Sequence, residues 1–441
     1  MAQRDLSKGN ILSTLLLFAL PMMAGNLLQQ IYNIADTLIV GRYLGAEALA
    51  AVGSAYTLMT FLTSVVIGVC MGCGALFAID YGAKQMEEMQ EKIWLSFWFV
   101  ALVTTVICGV VFAGMDGILH LLQVPDEIYG MMREYVRIIF VGIGFTSLYN
   151  FFAYLLRSVG NSAVPLYFLA FSSLLNIGLD LWFVTGLKRG IAGAAEATVI
   201  AQAVSGFGIA GYTLIGMPQL RVRREQMHLK ISSFLQIARY SLLTCLQQSV
   251  MNFGILMIQG LVNSFGTVIM AAFAAAVKID TIAYMPAQEF GNAYSMFISQ
   301  KYGAGGRDRI RKGTKLAVRM SILFCLAASF VVCIFAEPLM GIFVDSSRRE
   351  IIGAGVQYLR IEGAFYWGIG CLFLLYGLYR GIGRPGMSLV LTVISLGTRV
   401  VLAYLLAPRP AFGVAAIWWA IPIGWILADT AGYFYYRKIV K

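Results

Sequence analysis

The sequence predicts an all-α integral membrane protein with 12 transmembrane helices, arranged as two six-helix lobes related by a pseudo-twofold axis along the membrane normal. Three observations predict it: the composition, a duplication of the text, and the placement of basic residues. The chain has 441 residues, of which 59% are hydrophobic and 12% charged, and its mean hydropathy is +0.77. A soluble domain carries about 25% charged residues. Apolar stretches of about 20 residues, enough to cross a bilayer, follow one another along the whole chain, and no polar stretch is long enough for a soluble domain.

Spans are predicted at 11–40, 46–80, 93–114, 129–157, 162–185, 190–216, 234–263, 267–301, 314–336, 351–380, 386–407 and 412–436. The first follows Arg4 and Lys8 as a signal peptide would. It runs on to Val40 with no small-residue cleavage site after a short core, so it reads as a retained span. Pro165, Pro286, Pro385 and Pro422 lie in spans or at their ends, where neighbouring helices can satisfy the carbonyls they free.

The duplication repeats the text at a nearly constant offset, about half the length of the chain. Tyr81-Gly82-Ala83 recurs as Tyr302-Gly303-Ala304, and Leu44-Gly45 as Phe265-Gly266. Tyr135-Val136-Arg137-Ile138 recurs as Tyr358-Leu359-Arg360-Ile361, and Arg157 as Arg380. Such doubled membrane halves are a usual build of secondary transporters. The halves are read as 1–216 and 234–441, joined by a basic linker at 217–233 that carries Arg221, Arg223, Arg224 and Lys230. With six spans each, an even number, both halves enter the membrane the same way. They would then face each other across a central cavity. With both termini in the cytoplasm, the inner segments hold about 20 Lys and Arg and the outer ones about 6, as the positive-inside rule requires.

These patterns exclude several function classes. The net charge of +11 sits in short loops, where topology explains it better than nucleic acid. The seven Cys are an odd number, scattered inside apolar runs, so no disulfide framework is implied. Cys70-Met71-Gly72-Cys73 has no second pair nearby and reads as small-residue packing. No phosphate-binding G-x-x-x-x-G-K-[ST], H-E-x-x-H or G-x-S-x-G occurs, and the chain has two His. No enzyme and no cofactor are expected. An ion gradient must drive transport, and that calls for ionisable groups within the membrane.

Asp36, Asp180 and Thr198 fall at a similar depth, in the outer half of the bilayer, by helical rise. Asn176 and Asp180 are four apart and share a helix face. Asp36, Asn176, Asp180 and Thr198 could form an oxygen cage for a hard monovalent cation. The two acids could instead share a proton, since close carboxylates do not both ionise readily, or the four could be unrelated polar contacts. In the second half Asn176 maps to Arg399, Asp180 to Ala403, Thr198 to Ile421 and Asp36 to Gly254. The acidic cluster is therefore expected in the first half alone.

Tyr32-Asn33-Ile34-Ala35-Asp36 followed by Gly41-Arg42-Tyr43-Leu44-Gly45 resembles the first-helix signature of multidrug and toxic compound extrusion (MATE) transporters. Asn176-x-x-x-Asp180 resembles the fifth-helix signature of their prokaryotic DinF-like branch. The resemblance extends over the whole chain. It implies export of cationic or amphiphilic compounds in exchange for inward Na⁺ or H⁺, with Asp36, Asn176, Asp180 and Thr198 holding the coupling ion. Another branch uses an acid in span 7, where this chain has Cys245-Leu246-Gln247-Gln248-Ser249 and no acid.

By the same analogy the substrate cavity would draw on Gln29, Tyr32, Asn33, Asn150, Tyr154, Gln247, Met251 and Tyr284, residues equally at home in lipid or core contact. Lys278 and Asp280 read either as substrate-gating charges or as a structural pair involving Arg399. Glu196 is expected to snorkel or to pair with Lys188 or Arg189. Arg137 and Arg360, with Glu134 and Glu362 nearby, match between the halves and read as structural. The expected protein is a monomeric antiporter of the bacterial or archaeal cytoplasmic membrane. Its partners are a small organic cation or amphiphile and lipid, with no nucleic acid. The alternatives are a lipid-linked saccharide flippase of the same wider superfamily and a non-transporting scaffold or receptor.

Overall fold

A computed structural model describes residues 6, 9–121 and 124–440. Arg4, Lys8 and Lys441, counted among the inner cations, lie outside the described residues. Within them the chain is helical with no strand. The helices are α1 (Ile11–Tyr43), α2 (Ala46–Gly82), α3 (Met86–Leu121), α4 (Asp126–Ser158), α5 (Ala163–Leu181), α6 (Gly190–Gly216), α7 (Ile231–Asn263), α8 (Thr267–Gly303), α9 (Arg307–Ile334), α10 (Ala336–Gly341), α11 (Arg349–Gly363), α12 (Tyr366–Gly381), α13 (Pro385–Leu406) and α14 (Gly413–Val440). Eleven are long and apolar enough to cross a membrane, and α11 with α12 makes a twelfth span bent by 52°. α5 ends in a wide π-type turn at Trp182–Gly186.

The duplication is visible in the backbone. α1 and α7 are 33 residues long, and α2 and α8 are 37. Gly45 before α2 and Gly266 before α8 have φ of 92° and 91°, a conformation open to glycine at no steric cost. Gly160 and Gly383 match in the same way, with φ of 85° and 81°.

Two compact units make up the chain. One holds residues 20–245 and the other 8–19 with 246–441, so each boundary runs inside a helix, α1 or α7. The first unit packs a mainly aliphatic core, with Val40, Ala51, Met132, Val136, Ile139 and Ile143. Gly68 and Gly72 of α2 lie against Cys245 and Ser241 of α7, where an added Cβ would come within 2.6 and 2.7 Å of their Cα atoms. Small residues of this kind let membrane helices approach closely. A buried ion pair, Lys92 Nζ to Asp80 Oδ1 at 2.8 Å, ties α3 to α2.

The second unit has an aromatic core. The Phe273 and Trp418 rings stack at 5.5 Å with planes 7° apart, and Tyr358 meets Trp418 edge-on at 4.9 Å. At the α8–α12 crossing an added Cβ on Gly377 would lie 2.5 Å from the Gly291 carbonyl oxygen. The bend between α11 and α12 follows Gly363. Ala364 still bonds back to Arg360, one full helical turn away, but Phe365 bonds to the Glu362 carbonyl and Gly368 to the Phe365 carbonyl, a tighter i→i−3 pattern. A glycine and a 3₁₀ turn are an ordinary cause of such a kink.

Candidate ion site and substrate pocket

α1, α5 and α6 bring together the four residues predicted from the first half. Asn176 and Asp180 share one face of α5, and both are buried, as is Thr198 on α6. The Asn176 carboxamide lies between them. Oriented to satisfy both neighbours, its N–H donates to Asp180 Oδ2 at 3.3 Å, and its oxygen accepts from the Thr198 N–H and Oγ1 at 3.3 Å each. The Thr198 hydroxyl also reaches the Ala194 carbonyl at 3.1 Å. From α1 the Asp36 carboxylate comes within hydrogen-bonding reach of Asp180. Oδ1 of each acid is buried with no donor. Two facing carboxylates short of donors need a proton or a cation between them. Tyr32 and Tyr135 stand in the electrostatic range of both acids, and nothing in the sequence marked Tyr135 as a neighbour.

The second unit corrects the expectation that acids gather in the first half alone. Asp280 on α8 and Glu362 on α11 are 2% and 3% exposed and in side-chain contact. The Tyr366 hydroxyl donates to Asp280 Oδ1 at 2.5 Å and the Tyr358 hydroxyl to Oδ2 at 3.4 Å. Arg399 lies in electrostatic range of both acids. Asp280 is thus a packed core group, and Glu362 turns to it. Lys278, close by in the chain, is on another face of α8, with its Nζ 6.0 Å from the Phe343 ring centre. Glu196 pairs with Arg189 at 2.9 Å, as one of the expected options has it.

Of the predicted cavity residues, Gln247 and Met251 line a narrow cleft in the second unit, with Gln248, Gln288, Asn292, Phe373, Tyr376 and Arg380. Tyr284 stands beside it, its ring 6.1 Å from that of Phe373. In the first unit, Tyr154 is buried with Arg157 5.2 Å above its ring, and Asn150 donates to the Thr146 carbonyl at 2.8 Å. Tyr32 and Asn33 are half-buried and Gln29 is exposed.

Comparison with known proteins follows the same doubling. The MatE family model matches twice, over residues 21–182 and 242–405. The chain belongs to the MatE family. It is 30% identical over 99% of its length to the probable multidrug resistance protein YpnP of Bacillus subtilis, covering 97% of that protein. It is 26% identical over 92% of its length to a probable multidrug resistance protein NorM of Thermotoga maritima, covering 87% of it. A MOP superfamily transporter from Pyrococcus furiosus has the same fold, with a TM-score of 0.93 at 23% identity over 100% of this chain and 98% of that one. The chain is therefore a multi-pass membrane transporter, not an enzyme, and the family needs no cofactor.

Proposed function

We propose that this MatE-family chain exports cationic or amphiphilic organic compounds in exchange for inward Na⁺ or H⁺, from a prokaryotic cytoplasmic membrane, with both termini inside. The observation that carries this reading is the pairing of Asp36 with Asp180, completed by Asn176 and Thr198. Oxygens from three helices converge there with too few donors, which suits a hard cation or a shared proton. Ion binding draws α1 towards α5 and α6, and so changes the face that Tyr32 and Asn33 present to substrate. The names of the relatives, multidrug resistance proteins, support the substrate class.

The test is efflux of a fluorescent organic cation from proteoliposomes under a Na⁺ gradient or a pH gradient alone. Asp36→Asn or Asp180→Asn should reduce gradient-driven efflux by up to about 150-fold, the span of ordinary coupling energies. Unchanged gradient-driven efflux in normally folded variants would show that the ion site is misplaced.

A further inference from the structure

Asp429 is a second kind of intramembrane acid. It stands just past the middle of α14, far from both ends of that helix. Both carboxyl oxygens are buried and neither has a hydrogen-bond partner among the described residues. Oδ2 faces Gly368 of α12, 3.8 Å from where a Cβ would stand. The titratable groups facing it from α12 are Cys371 and Tyr376. Arg360 and Glu362 on α11 and Arg399 on α13, charged residues of the other elements packed on α14, make no hydrogen bond or ion pair with it.

The repeat shows that folding does not require an acid here. Gly190 and Gly413 open the matching helices α6 and α14, both with positive φ, 62° and 52°. Laying α6 on α14 from these glycines places Gly206 at Asp429, and the same offset places Phe145 at Gly368. In the first half the glycine is on α6, where an added Cβ would lie 2.8 Å from the Phe145 carbonyl oxygen. In the second half the small residue has moved across the interface, to Gly368, and the room it leaves is taken by a carboxyl. The same crossing is thus built once without charge and once around an acid.

A bare carboxylate in such surroundings costs several kcal/mol. A metal cation would need several oxygen ligands, and this site offers a carboxyl and one phenol. We propose that Asp429 is a proton-binding site of the second half, loaded in this conformation and emptied during the transport cycle. The bend at Ala364–Phe365 lies one turn before Gly368, whose N–H bonds to the Phe365 carbonyl at 2.8 Å. Changing that bend moves the cover over the acid and opens a route for the proton.

Infrared spectra of the full-length protein at neutral pH test the loading directly. The carbonyl band of a protonated, weakly bonded carboxylic acid is expected in the native protein. The contribution of one carboxyl should be lost from it in Asp429→Asn and in Asp429→Gly, the residue the first half uses, and be kept in Asp429→Glu. The spectra are repeated on Asp36→Asn protein, so that failure of the Asp36–Asp180 reading leaves this result standing. A native spectrum without such a band, or a band of undiminished intensity in both Asp429→Asn and Asp429→Gly, overturns the proposal. Emptying is tested in proteoliposomes. Asp429→Asn should slow pH-gradient-driven dye efflux about tenfold, within the usual coupling range, with equilibrium dye binding retained. Efflux with native rate and native pH dependence would show that this proton takes no part in the cycle.

Discussion

In the first half the fourth span is one continuous helix, Asp126–Ser158, whereas its counterpart in the second half is broken into Arg349–Gly363 and Tyr366–Gly381. The same offsets that align the backbones align the interiors. Ile139 and Ile143 of the aliphatic core correspond to Glu362 and Tyr366, and Met59 to Asp280. One half fills this space with methyl and methylene groups beside Tyr135. The other keeps that tyrosine as Tyr358, adds two acids, Tyr366 and the reach of Arg399, and bends a helix beside them. Conversely, Asn176 and Asp180 correspond to Arg399 and Ala403. A duplicated fold sets where helices run and leaves the chemistry at each crossing free to diverge.

Carrying the second half's acid into the first should have the largest effect. Gly206→Asp should cost more than about 4 kcal/mol, because a Cβ strikes the Phe145 backbone and a carboxylate loses its water. Expression level and thermal melting in detergent would measure it, and a native melting temperature would refute the tight α4–α6 crossing. Gly206→Ala should cost about 1–3 kcal/mol by overpacking alone. Tyr366→Phe removes the donor to Asp280 Oδ1 and should destabilise the second half by about 1–3 kcal/mol. The same melting experiment reads it, and the matched change Ile143→Val should cost only about 0.5–1.5 kcal/mol.

Smaller changes sharpen the picture of the bend. Gly363→Ala places a methyl at ordinary contact distance, 3.4 Å from Cys333 Sγ and Val332. It should shift stability by no more than about 1 kcal/mol, the helix-propensity difference. A larger loss would mean that the bend needs glycine for more than room. Smallest of all is Glu196→Gln, which removes a partly exposed pair with Arg189 worth about 0.2–1 kcal/mol. Efflux unchanged within error would separate Glu196 from the ion site at nearby Thr198 on α6.

Span number, the repeat and the first-half quartet were legible because each rests on local text: apolar runs, recurring Gly and Tyr anchors, and acids at helical spacing inside apolar stretches. Asp280 and Glu362 were individually visible, yet they lie on different spans, far apart in the chain, so nothing local paired them. Glu362 reads as the partner of a repeat-matched arginine when sequence proximity stands in for contact. Asp429 gives the signal of a lone acid in an apolar span, but its meaning depends on facing Gly368, a residue of another helix.

Apolar run lengths and the repeat were enough to set the solvent and the architecture. Lipid demands long apolar helices with internally satisfied backbones, and a doubled text demands a doubled fold. Which acids meet in the second half depended on how its helices pack. Helical spacing sets the face a residue occupies on its own span, whereas the neighbour across that face depends on how spans distant in the chain pack. The Asp280–Glu362 cluster and the burial of Asp429 against a glycine were settled there.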